Sequence, residues 1–235
     1  MNLIDPNGQE WFNDIDGYDF KLNSGIVLNY IGHLDCGGTK SYSDYITILQ
    51  QLNKGQYKRA YEWCAGIGAV GFEILGQGLC EHVVFSDYYN LAIENCYTTA
   101  EKNNVRDKVT GYTTPKIGDI PDTEIWDLVV GNPPHNWSIV DYMADLNMEN
   151  VVPERIRSNL IRQIVDDGME THKEFFQNIR KHVTDNADLL IWEADRSVIS
   201  IIEKMALDGG LKLIGEYPMP TQELDFHRIY HFKPI

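Results

Sequence analysis

From residue 58 onward the apolar and polar positions of the chain switch between two periods. Residues 61–64, 83–86, 109–112, 125–130 and 188–192 form short, nearly continuous apolar runs, which predict strands buried on both faces. Between them, a stretch from Ala69, a stretch over Asn90–Lys102 and a stretch over 198–207 carry apolar residues at helical spacing. Strand, helix, strand in this rhythm predicts an α/β fold with a parallel sheet. The end of the chain breaks the rhythm. Residues 211–217 and 225–232 are joined by Pro218-Met219-Pro220-Thr221 with no helix between them, so these two strands are predicted to pair antiparallel.

The first 57 residues show no such period. Trp11, Phe12, Tyr18, Phe20, Tyr30, Tyr42 and Tyr45 are scattered among Gly, Asn and Asp, which reads as an N-terminal cap or substrate-recognition segment on a main domain of residues 58–235. An insertion at about 136–170 interrupts that domain. Within it Ile156, Leu160, Ile161, Ile164 and Val165 are spaced as an amphipathic helix, a candidate substrate cover.

A length of 235 residues with 43% hydrophobic content suits one globular domain with a sizeable core. No run of eighteen apolar residues occurs, and Met1-Asn2-Leu3-Ile4-Asp5-Pro6 lacks the basic and apolar regions of a signal peptide, so a soluble, cytoplasmic protein without a membrane partner is expected. Cys36, Cys64, Cys80 and Cys96 make no CxxC pair, which predicts reduced thiols and no metal. A net charge of −15 disfavours bulk nucleic acid as a partner, because such binding rests on clustered Lys and Arg. Protein or small-molecule substrates are favoured, with Arg155, Arg157 and Arg162 as one local basic patch. No GxSxG, HExxH or Walker loop is present, which removes the common hydrolase and triphosphatase readings.

Gly66-Ile67-Gly68-Ala69-Val70-Gly71 is a GxGxxG that follows a predicted strand and opens a predicted helix, and Asp87 ends the next strand. Glycines let the backbone approach a ligand, and an acid about twenty residues on accepts hydrogen bonds from ribose hydroxyls. A nucleoside-bearing cofactor is therefore expected. NAD fits this loop as well. Glu62 argues for the other choice, since an acid at the end of the first strand can take a charged amino group, which NAD lacks.

Asn132-Pro133-Pro134-His135 follows the strand predicted at 125–130. Proline nitrogens cannot donate hydrogen bonds, so this corner offers carbonyl oxygens in a rigid frame. A planar NH2 group would donate to the Asn132 side-chain oxygen and the Pro133 carbonyl, with the His135 ring stacked on its face. The expected target is a nitrogen.

With these two motifs together the chain resembles the class I S-adenosylmethionine-dependent methyltransferases, in the branch that carries Asn-Pro-Pro-aromatic and methylates planar nitrogens of glutamine or adenine. The resemblance covers roughly residues 58–235. It implies a doubly wound, Rossmann-like sheet of seven strands, mostly parallel, with an antiparallel C-terminal strand. It implies that Glu62, Gly66 and Gly68 hold the methionine part of the cofactor and Asp87 the ribose. Asn132 and Pro133 would hold the acceptor nitrogen within the Asn132-Pro133-Pro134-His135 motif, with His135 at the stacking position. It also implies an acid after the fourth strand that contacts adenine, with Asp119 as one candidate and Thr113 and Thr114 as others. Two positions depart from the pattern: Cys64 stands where the loop often has its first glycine, and His135 replaces the commoner Tyr, Phe or Trp. The expected activity is methyl transfer to a planar amide or amino nitrogen, on a protein glutamine or a small molecule. The alternatives are the adenine amino group of a nucleic acid, an NAD-dependent oxidoreductase, and a cofactor-binding module without catalysis.

Overall fold

Seven strands make one sheet in the computed structural model, which describes residues 17–35, 37–134, 166–194, 198–222 and 227–235. They are β3 (Tyr57–Trp63), β4 (Cys80–Asp87), β5 (Val109–Thr113), β6 (Trp126–Gly131), β7 (Val183–Glu193), β8 (Leu211–Pro218) and β9 (Arg228–Pro234). Their order across the sheet is β5-β4-β3-β6-β7-β9-β8. From β5 to β7 all neighbours are parallel, and β9 runs antiparallel to both β7 and β8. The predicted α/β class and the reversed last strand are both present. β7 begins at Val183, five residues before the predicted start, because Thr184, Asp185 and Asn186 continue the strand as exposed polar residues that carry no apolar signal.

Helices cover both faces, which explains the nearly continuous apolar runs. On one face α2 (Gly38–Leu52), α3 (Ala69–Gly76) and α4 (Asn90–Lys102) pack on Ala60, Val83 and Phe85. On the other face α5 (Glu170–Asn178) and α6 (Ile199–Asp208) pack on Tyr61, Val84 and Val129. Successive residues of β3 and β4 thus enter opposite cores, as the two-residue period of a strand requires.

The described part of the N-terminal segment belongs to the same packing. β1 (Tyr18–Lys21) and β2 (Val27–Tyr30) form an antiparallel hairpin, followed by the short α1 (Gly32–Asp35). The hairpin is tied to α4: the Val27 and Asn29 amides donate to Asn103 Oδ1 at 2.9 Å and Thr99 Oγ1 at 3.0 Å. Leu28, Leu34, Tyr45 and Leu49 enter the first core beside residues of the sheet. Residues 17–57, read from sequence as a cap, therefore share their core with the strands from β3 onward. The inserted helix expected around Ile156–Val165 and its acids Asp141 and Asp145 lie outside the described residues.

Two buried charge networks cross-link the sheet. Asp188 of β7 meets His231 Nε2 at 2.7 Å, the Tyr57 hydroxyl at 3.0 Å, Lys54 Nζ at 2.8 Å and Lys233 Nζ at 2.9 Å. Despite the opposing effect of burial, these donors hold its carboxyl well below the usual carboxylate range. His172 of α5 is fully buried between Asp166 (2.6 Å to Nδ1) and Glu193 at the end of β7 (2.8 Å to Nε2). Burial alone would lower the imidazole, but the two carboxylates win and raise it to about 9.

Candidate active site

The chain winds outward from β3 through β4 to β5 and then returns to β6 on the other side of β3. The C-terminal ends of β3 and β6 thus flank the switch point, where open α/β sheets leave a crevice for ligands. The loop leaving β3 turns through three left-handed residues, Cys64, Gly66 and Gly68, with φ of 56°, 52° and 74°. Cys64 thus takes a conformation that L side chains rarely adopt and that favours glycine. At Gly66 the constraint is also spatial: a Cβ there would sit 2.2 Å from the Leu34 carbonyl oxygen. At Gly68, the residue before α3, a Cβ would press on Phe85, Phe72 and Cys96 at 2.9–3.0 Å.

Two acids brace this loop. Glu62 of β3 is buried, and its Oε2 accepts the Gly71 amide at 2.7 Å. Burial pushes its carboxyl up to about 8, although the amides of Gly71 and Val70 pull the other way. Asp87, at the end of β4, accepts the Gly66 amide at 3.0 Å and the Tyr89 amide at 2.9 Å. It too is raised by burial, against these amides.

β6 delivers the Asn-Pro-Pro corner. The Gly131 carbonyl, immediately before it, accepts the hydroxyl of Tyr45 at 2.7 Å, and Tyr45 is itself fully buried on α2. Asn132 is half-buried while Pro133 and Pro134 are buried, so a rigid corner presents an amide side chain at the strand end. His135 lies outside the described residues.

One cleft of about 580 Å³, open to solvent, joins these pieces. Glu62, Gly66, Asp87, Asn132 and Pro134 all line it. Three expected residues do not. Gly68 is turned into the core beneath the loop, Pro133 is buried behind the corner, and Asp119 is elsewhere. Asp119 ends a short 3-10 turn, Ile117–Asp119, whose Ile117 and Gly118 amides donate to Glu174 on α5 at 2.9 and 3.0 Å. That pull anchors the turn on α5, and among the described residues the Asp119 carboxylate receives Thr114 Oγ1 at 3.4 Å. Thr113 and Thr114 do not line the cleft either: their hydroxyls go to Asn90 Oδ1 and the Lys116 carbonyl, each at 3.0 Å.

The cleft also contains residues that no motif marked. Leu34, Asp35 and Gly38 come from the N-terminal segment where it crosses the glycine loop. Asp35 accepts the Thr39 amide at 2.8 Å, the Thr39 hydroxyl, and the Tyr30 hydroxyl at 3.2 Å. Behind the end of β3, Trp63 stacks on Phe175 at 3.9 Å and meets the edge of the His172 ring.

No protein-family profile and no curated protein matches the sequence. Solved structures do match. SMU.776, provisionally named a methyltransferase and solved with SAH, aligns with a TM-score of 0.59 at 10% identity, over 96% of this chain and 57% of its own. The hMettl16 catalytic domain, in complex with the MAT2A 3'UTR hairpin 1, aligns with a TM-score of 0.58 at 15% identity, over 82% of this chain and 69% of its own. The N-methyltransferase NodS from Bradyrhizobium japonicum WM9 aligns with a TM-score of 0.51 at 13% identity, over 82% and 95%. The fold of this chain is therefore the Rossmann-like methyltransferase fold, with seven strands and a reversed last strand.

Proposed function

We propose that this chain is an S-adenosylmethionine-dependent methyltransferase of the Asn-Pro-Pro-aromatic type, acting on a planar amide or amino nitrogen of a protein glutamine or a small molecule. The observation that carries the reading is the convergence of Glu62, Gly66 and Asp87 with Asn132 and Pro134 on one cleft at the switch point. Cofactor and acceptor motifs from separate strands would otherwise have no reason to share a wall.

The residues fit such a cofactor. The left-handed turns at Cys64 and Gly66 lay bare backbone on the cleft, Glu62 offers a carboxylate for an ammonium group, and Asp87 offers one for paired hydroxyls. When bound, the cofactor supplies an electrophilic methyl group on a sulfonium. Asn132, which lines the cleft, would accept an N–H bond of the acceptor and turn its lone pair toward the donor, while Pro133, which does not line it, would hold the corner rigid. Alignment of the two partners, more than acid or base chemistry, is what this corner provides. Asp87→Ala should lose most of the affinity for S-adenosylmethionine and S-adenosylhomocysteine in titration calorimetry. Asn132→Ala should keep that affinity and lose methyl transfer to a radiolabelled substrate pool by a hundredfold or more. A parallel loss of cofactor binding in Asn132→Ala would remove it from the acceptor role, and binding of NAD alone would overturn the whole reading.

The adenine amino group of a nucleic acid is the second reading, because it presents the same NH2. The likeness to a catalytic domain solved on an RNA hairpin supports it, and the net charge of −15 opposes it. Protein, RNA and small-molecule pools offered side by side decide between them.

A further inference from the structure

Among the described residues that line the cleft three are acids, Asp35, Glu62 and Asp87, and none is Lys, Arg or His. Two of the three have evident work with the backbone: Glu62 faces the first turn of α3, and Asp87 ties down the loop at Gly66. Asp35 is different in origin and surroundings. It comes from the N-terminal segment, at the point where the Leu34 carbonyl presses on Gly66. Among the described residues its donors are the Thr39 amide and the hydroxyls of Thr39 and Tyr30, all neutral. They orient the carboxylate; burial raises it above its ordinary value, against these donors and the charge of nearby Lys40. Gly38, whose Cβ position would lie 3.3 Å from Asp35 Oδ1 and 3.4 Å from Ala69, leaves the cleft open beside it.

A methyl donor and its spent product differ by one methyl group and one positive charge, since the sulfonium becomes a neutral thioether. Their amino-acid and nucleoside parts are the same. A carboxylate held in place in a partly buried wall attracts the sulfonium and gains nothing from the thioether. We propose that Asp35 is a specificity-determining residue of the cleft, whose charge makes it prefer the cationic methyl donor over the neutral demethylated product. The inference rests on the cofactor reading above. Under it the charge also serves turnover, because the attraction disappears at the moment the methyl leaves.

The test is calorimetric titration of wild type, Asp35→Asn and Tyr30→Phe with S-adenosylmethionine, S-adenosylhomocysteine and sinefungin, which carries an ammonium group in place of the sulfonium. Asp35→Asn should weaken S-adenosylmethionine and sinefungin by about tenfold and S-adenosylhomocysteine by less than about twofold. Tyr30→Phe keeps the charge and should keep the preference. Wild type provides a second measurement that needs no variant: raising salt should weaken the two cations and leave S-adenosylhomocysteine nearly unchanged. Equal losses for all three ligands in Asp35→Asn, or equal salt dependence in wild type, overturn the inference while leaving the cofactor reading intact. Binding of none of the three by wild type overturns both.

Discussion

Gly66 stands where two distant pieces of chain touch, and its lack of a side chain serves that crossing as much as any ligand. Gly66→Ala would put a methyl 2.2 Å from a backbone carbonyl, in a left-handed conformation that alanine resists. A loss of about 2 kcal/mol or more in chemical denaturation is expected, because backbone cannot swing away as a side chain could. An unchanged midpoint would mean that Leu34 does not cross there. At this scale the motif residues were legible in sequence because their chemistry is local: Glu62, Gly66, Asp87 and Asn132 each sit at a strand end with a recognisable neighbour. Asp35 was not legible, since its place on the cleft depends on a crossing of segments thirty residues apart. Asp119 was misplaced for a similar reason, as Glu174 on a later helix draws its turn away.

Elements fared unevenly for reasons that are also physical. Strands buried on both faces announce themselves as apolar runs, and α4 was read at its observed bounds, Asn90–Lys102. The hairpin and α2 were missed: α2 buries Ser41 and Asp44 along with its tyrosines, so polar residues break its apparent period. Yet α2 reaches the Asn-Pro-Pro corner directly, through the Tyr45 hydroxyl on the Gly131 carbonyl. Tyr45→Phe leaves that buried carbonyl without its donor and should cost about 1–2 kcal/mol of stability. Methyl transfer should fall more than donor affinity, since the strand end that carries Asn132 loses a support. Loss of donor affinity in proportion would assign Tyr45 to the fold alone.

For the molecule as a whole, the two charge networks bound the pH range of stability from opposite sides. Asp188 titrates lower in the folded chain than the ordinary value of about 3.9, so its contribution is present above that value and is lost as pH falls through the folded one. His172 titrates higher, at about 9 against about 6.5 unfolded, so its contribution is complete below about 6.5 and is lost as pH rises through 9. Thermal melts should therefore decline at both ends. His172→Gln should be less stable at neutral pH and show a flatter alkaline limb between about 6.5 and 9; an unchanged limb would remove the histidine from that role.

The burial of Glu62 couples the cleft to protons in solution. With its carboxyl raised to about 8, the acid holds a proton at pH 7 in the free protein. Under the proposed role, an incoming ammonium group would pair with it only once that proton is gone. Binding of S-adenosylmethionine at pH 7 should thus release close to one proton, read directly as the dependence of the heat on the ionisation enthalpy of the buffer. Glu62→Gln should release none. Below pH 8 each unit of acidification would then thin the loaded fraction by up to about tenfold at low donor concentration, so that acidity itself competes with the donor for the same carboxylate.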